Sequence, residues 1–185
     1  MLRSDDSFLV EIDGDGQNEK TDEWETYLLE KRDKLFHLIN NNDDFDEKIK
    51  AVLDEVGASE PNLDLSAWRE IYLSLERLDE KWTDVLANLR QFGGIRDQKI
   101  YARVLNYMIF RHVLSAENEN DLRARVAFCV HATYFISAVA DILEKKGEKN
   151  ADEESARLYS SEIEYSDDNL YSLIDLFSTI NENDA

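Results

Sequence analysis

The side chains whose types could do chemistry in this chain are two of its three histidines, its single cysteine, and a set of arginines and tyrosines. His112 and His131 could serve as general bases or metal ligands, because imidazole titrates near neutrality. His131 stands in an apolar run with Phe128 and Phe135 three and four positions away. A lone histidine in such a run reads first as hydrogen-bonded core. Cys129 and His131 are two apart, so on a helix they point to different faces and form no dyad. Arg111 follows Phe110 at the end of an apolar stretch, where it could hold a carboxylate or close the helix's negative end; the second role is favoured. Arg103, Arg111, Arg123 and Arg125 form a modest basic set that should find Asp or Glu partners at helix ends. Tyr101, Tyr107, Tyr134, Tyr159 and Tyr165 could line a cavity, although aromatics at helical spacing are more often packing. The candidate binding or buried polar residues are therefore Arg111, His112, Arg125, His131, Tyr134 and Tyr159. No catalytic residue and no metal ligand is assigned.

The run from Glu11 to Asp22 invites a calcium reading, with Gly16 at the sixth loop position and Glu11, Asp13 and Asp15 at the first, third and fifth. The twelfth position is then Asp22 instead of the bidentate Glu, Asn18 stands where an apolar residue is usual, and no helix precedes the loop. A plain acidic turn is the favoured reading. There is no glycine-rich phosphate loop after a strand, no nucleophile elbow and no cysteine ligand set; Gly93-Gly94 is only a loop.

These residues need elements to position them. A chain of 185 residues, 43% hydrophobic and 10% aromatic, can build one ordinary core. One proline and six glycines leave long stretches without a breaker, which favours helices. The segments 100–114 and 122–143, joined by a short polar turn, are the most apolar parts of the chain. In the second, apolar residues occupy every side of the helix, so it should lie buried with other helices around it. Its apolar stretch, 126–140, is shorter than the roughly 20 residues that span a bilayer. The expected fold is all-α: an irregular bundle of about seven to eight helices around a central buried helix at 122–143. A short extended N-terminal segment should precede it, since residues 7–12 (SFLVEI) alternate like a strand and Asp13 to Gly16 force a turn. Residues 1–20 then form an arm, 21–180 a single helical domain, and 181–185 a frayed tail.

The outer helices follow from caps and stripes. One starts at Thr21 or Asp22 and ends in the Asn40–Asn42 run, the next carries Phe45 to Val56, and Gly57 stops it. Residues 66–89 carry a helical pattern, unbroken or kinked near Asp79. Gly147 closes the central helix, Asn150 can cap the next, and the last begins at Ser166 or Asp167.

Charge narrows the partners. The chain carries 21 basic against 41 acidic residues, a formal −20. That field repels phosphate backbones and anionic membranes, and it attracts basic proteins. A plainer reading is that the acidic exterior keeps the protein soluble. A single cysteine leaves no intrachain disulfide, and no apolar leader follows Met1; the expected setting is the cytoplasm.

Three segments in order, 78–89 (LDEKWTDVLANL), 105–112 (LNYMIFRH) and 157–170 (RLYSSEIEYSDDNL), resemble the C-terminal helical region of the flagellin lysine-N-methylase-like proteins of bacteria. The helix around 27–36 (YLLEKRDKLF) looks like the region that follows that family's cysteine-rich part. The resemblance implies transfer of methyl groups from S-adenosylmethionine to lysine side chains of flagellin. It also implies an N-terminal cysteine cluster, and with only Cys129 this chain cannot carry one. The chain therefore looks like the helical half, expected to be a substrate-side or scaffolding part, inactive alone. It is expected to carry no cofactor of its own and to meet a basic or lysine-rich partner such as flagellin. The rival expectation is a free-standing acidic helical adaptor that binds a basic protein. A third is a small self-contained enzyme using His131 or His112.

Overall fold

A helix with no polar side must be surrounded, and the whole architecture follows from that demand. The computed structural model describes residues 15–184 apart from residue 91, with side chains described from 22 to 182. The strand expected at residues 7–12 lies outside the described residues. Those that are described fold into eight α-helices and no strand. They are α1 (Asp15–Asn41), α2 (Phe45–Val56), α3 (Leu65–Ser74), α4 (Glu80–Asn88), α5 (Gln98–His112), α6 (Glu119–Lys145), α7 (Ala151–Tyr159) and α8 (Asp167–Asp184).

Helix α6 is the centre. Every residue from Arg125 to Ala140 is buried, against α8, α7, α5, α2 and α4. By length and composition α6 could cross a bilayer, yet 89% of its apolar window is covered by the other helices, as in a core helix. The outer helices each bury one stripe, such as Phe45, Ile49, Val52 and Leu53 on α2. Helix α1 lies outermost, packed on α2 and α5.

Caps set most of the boundaries. Asp44, Asp64, Asp79, Asp97 and Asn118 each accept backbone N–H bonds at the start of α2, α3, α4, α5 and α6. Gly57 ends α2 with φ +67°, a conformation other residues adopt with strain. Asn150 occupies the cap position of α7 but makes no side-chain cap bond.

Two boundaries differ from the expectation, and a third decides one left open. Helix α1 extends back to Asp15, inside the stretch expected to be an acidic turn and arm. Helix α8 runs to Asp184 instead of fraying at 181, since Asn181 is buried: it accepts the Ser59 N–H at 2.8 Å and donates to the Phe177 carbonyl. Finally, the 66–89 pattern is broken at residues 75–79 into α3 and α4. The break is held from elsewhere: the buried Glu162 carboxyl accepts the Leu78 and Asp79 N–H groups at 3.0 and 2.7 Å. Asn169 takes the Glu76 N–H and donates to the Glu76 carbonyl.

Glu162 owes its position to a π turn, Ser160–Glu164, between α7 and α8. The wider turn, closed by Tyr165 N–H to the Ser160 carbonyl at 3.0 Å, buries three consecutive residues, Glu162, Ile163 and Glu164. Such turns inside helices recur at functional sites.

Candidate functional site

The π turn sends its two glutamates in different directions. Glu162 reaches the α3–α4 break, whereas Glu164 reaches α5. There its Oε1 lies 3.0 Å from Arg111 Nε and 3.2 Å from His112 Nε2, and its Oε2 is 3.5 Å from the Tyr107 hydroxyl. Burial by itself would raise the Glu164 pKa. Hydrogen bonds from His112 and Ser160, with the positive charge of Arg111, outweigh it and hold the carboxyl below its ordinary range. Its contribution to stability is therefore complete above that range and fades as the pH falls.

Glu164 closes one end of a groove of about 600 Å³ between α5 and α7. Val104, Met108, Ile136 and Ala156 give the groove an apolar lining. Asp152 and Glu153 stand at its other end, on the first turn of α7. Asp152 is held by the Tyr101 hydroxyl at 2.8 Å and by Arg96 Nε at 3.2 Å. Arg96 also binds Asp141 and Glu144 of α6, and these carboxylates keep its guanidinium protonated far above neutrality. Glu153 is exposed and has no hydrogen bond or ion pair with any described residue. Arg103 also lines the groove, and Glu164 and Asp152 are already paired, so the free carboxylate is Glu153; apolar walls with that carboxylate at the rim suit an alkyl chain that carries a cation.

The six candidate residues do not converge on one site. Arg111 and His112 meet at Glu164, so Arg111 both holds a carboxylate and sits in the last turn of α5. Arg125 pairs back to Asp121 with Nε at 3.0 and 2.9 Å from its oxygens, the helix-end ion pair that was expected. Tyr134 packs edge-on against Phe45 and Phe92 beside a separate surface hollow. Tyr159 is fully buried, its hydroxyl 3.0 Å from that of Tyr72.

His131 departs from the expectation of a hydrogen-bonded core histidine. Neither ring nitrogen has a hydrogen-bond partner among the described residues. The ring lies 3.8 Å from Trp68 and 5.4 Å from Phe177, with Tyr72 and Phe135 beyond. Aromatic contact replaces polar pairing, and burial pushes its pKa down to about 3.

Glu164, Asp152, Glu162 and Lys48 escaped notice in the sequence. Lys48 is buried and donates to the Ile39 carbonyl at 2.6 Å and to the Asn42 carbonyl, closing the end of α1. A lysine one turn into the next helix carries no sequence signal for that role. Among the described residues no group of three or more His, Cys, Asp or Glu is placed to hold a metal ion. Comparison of the chain with protein-family models, curated proteins and solved structures finds no match.

Proposed function

We propose that this protein is an acidic helical binding module whose α5–α7 groove receives a lysine-bearing segment of a basic protein partner. A substrate-side part of a lysine-N-methylase-like protein would play the same role. The observation that carries this reading is the trough itself. It has apolar walls for a chain of methylenes, the unpaired carboxylate Glu153 at its rim, and the protein's −20 charge to draw a basic partner. Two of the three segments that resemble the methylase family, 105–112 and 157–170, border this groove through Tyr107, Met108, Ser160 and Glu164. S-adenosylmethionine enters through that resemblance alone, and no residue is assigned to it.

The test is calorimetric titration with a lysine-rich peptide and its lysine-acetylated twin. The lysine form is expected to bind, to weaken about tenfold or more between 50 and 300 mM salt as screening sets in, and to lose affinity for Glu153→Lys and for Ala156→Trp, which fills the trough. Equal binding of the acetylated twin, or indifference to Ala156→Trp, would refute the reading. With S-adenosylmethionine added, the peptide is expected to stay unmethylated in this chain alone. Methyl-lysine in the mass spectrum would overturn that part.

A further inference from the structure

On the other side of α5 the chain exposes a second, different surface. Tyr107 forms the ridge between the two, since it borders the groove and also a shallow hollow with Phe36, Asn40, Asn106 and Phe110. Phe110 is 61% exposed, and Leu29 and Leu114 are each 38% exposed. On α1, Leu29, Arg32, Phe36 and Asn40 share one stripe; on α5, Tyr107, Phe110 and the following Leu114 do. The stripes lie side by side, joined by Asn106 Nδ2 to Asn40 Oδ1 at 3.1 Å and by Arg32 beneath Phe110. Contiguous exposed apolar side chains on an otherwise highly charged protein mark an interaction surface.

Arg32 says what should cover it. Its guanidinium carbon lies 5.7 Å from the Phe36 ring and 5.5 Å from the Phe110 ring, and its side chain is only 17% exposed. Arg96 has the same exposure and binds three carboxylates; Arg125 is more buried and holds Asp121 with two bonds. Arg32 has only its neighbour Asp33, at 3.9 Å, and its Nε is buried without a partner among the described residues. In a chain with 41 acidic residues, a guanidinium set against two rings, with its Nε buried and only the long contact to the exposed Asp33, can still take a closer carboxylate from a partner. Asn106 Oδ1, in the same hollow, is also buried and unpaired.

We propose that the α1–α5 face docks an amphipathic helix of another protein, whose apolar stripe covers Leu29, Phe110 and Leu114 and whose carboxylate pairs with Arg32. A furrow between two helices is shaped for a third, read out at i, i+3, i+4 and i+7 spacing. A second copy of this chain is the wrong occupant, because two bodies of charge −20 repel.

The test uses a library of random 16-residue peptides displayed on phage, panned on the wild-type protein and depleted on Phe110→Asp. Circular dichroism first verifies that this variant keeps its helix content. Enriched peptides are expected to carry apolar residues at helical spacing with an Asp or Glu among them. One of them, synthesised, should bind Arg32→Gln at least tenfold more weakly, and its own Glu→Gln form should lose no further affinity for that variant. It should bind Ala156→Trp as tightly as wild type, which separates this face from the α5–α7 groove. The proposal falls if no peptide depends on Phe110, if the enriched peptides lack acidic residues, or if Ala156→Trp abolishes binding. A wild-type dimer in sedimentation that Phe110→Asp dissolves would overturn it too, by making a second copy the occupant.

Discussion

At the scale of single residues, His131 illustrates how a polar side chain can be kept where no polar partner exists. Its ring lies tilted against Trp68 and is flanked by Phe177, and burial lowers its pKa to about 3, so the native state holds it neutral. In the unfolded chain an imidazole titrates near 6.5. Below that pH the unfolded state therefore binds a proton that the native state refuses, and stability declines as the solution is acidified. His131→Phe removes this liability and also the cost of burying unpaired ring nitrogens. Urea denaturation at pH 7, 6, 5 and 4 should show the variant gaining on the wild type by about 1.4 kcal/mol per unit between pH 6 and pH 4. A difference that stays constant with pH would mean the wild-type imidazole does not resist protonation. The same burial pushes the Cys129 thiol up, making it a poor nucleophile.

At the scale of elements, the α3–α4 break and the α7–α8 π turn are one device. The turn swings Glu162 toward backbone N–H groups that a continuous helix would have satisfied itself. Truncating it by Glu162→Ala leaves two part-buried donors without their acceptor. The expected loss is about 1–3 kcal/mol in chemical denaturation, with faster hydrogen exchange at the Leu78 and Asp79 amides. Glu162→Gln keeps one acceptor oxygen and should recover part of both. If the alanine variant loses stability but the two amides stay protected, the carboxyl is not what holds the break. Periodicity across 66–89 left open whether the helix is unbroken or kinked near Asp79, because Trp68, Tyr72, Trp82 and Val85 face the core on both sides of the break. The acceptors lie about eighty positions further along the chain.

At the scale of the whole molecule, burial of α6 on all sides leaves it no tolerant face. Ala124, Ala127, Ala132, Ala138 and Ala140 let the surrounding helices approach closely. Ala132→Leu, at a fully buried site, should cost about 1–3 kcal/mol through overpacking, seen as a lower midpoint in thermal melting. An unchanged midpoint would imply space around α6 that the packing does not show. The formal charge of −20 acts at this scale as well, since it bears on which partners approach and how salt affects them. The α5–α7 trough and the α1–α5 face share Tyr107, and the two proposals assign them partners of opposite charge.

Amino-acid order alone was enough to specify the all-α class, the surrounded central helix, and several stops, including Gly57 and Gly147. Those signals act within one or two helical turns, so neighbours in the chain carry them completely. It also placed Arg125 in its helix-end ion pair with reason. Only the tertiary structure decided that His131 sits among rings instead of hydrogen bonds, that Arg111 and His112 share Glu164, and that Arg32 lies against Phe36 and Phe110 with only Asp33 near it. Such pairings join residues on separate helices, often fifty or more positions apart, and depend on how the helices cross. No spacing within a single element records that geometry.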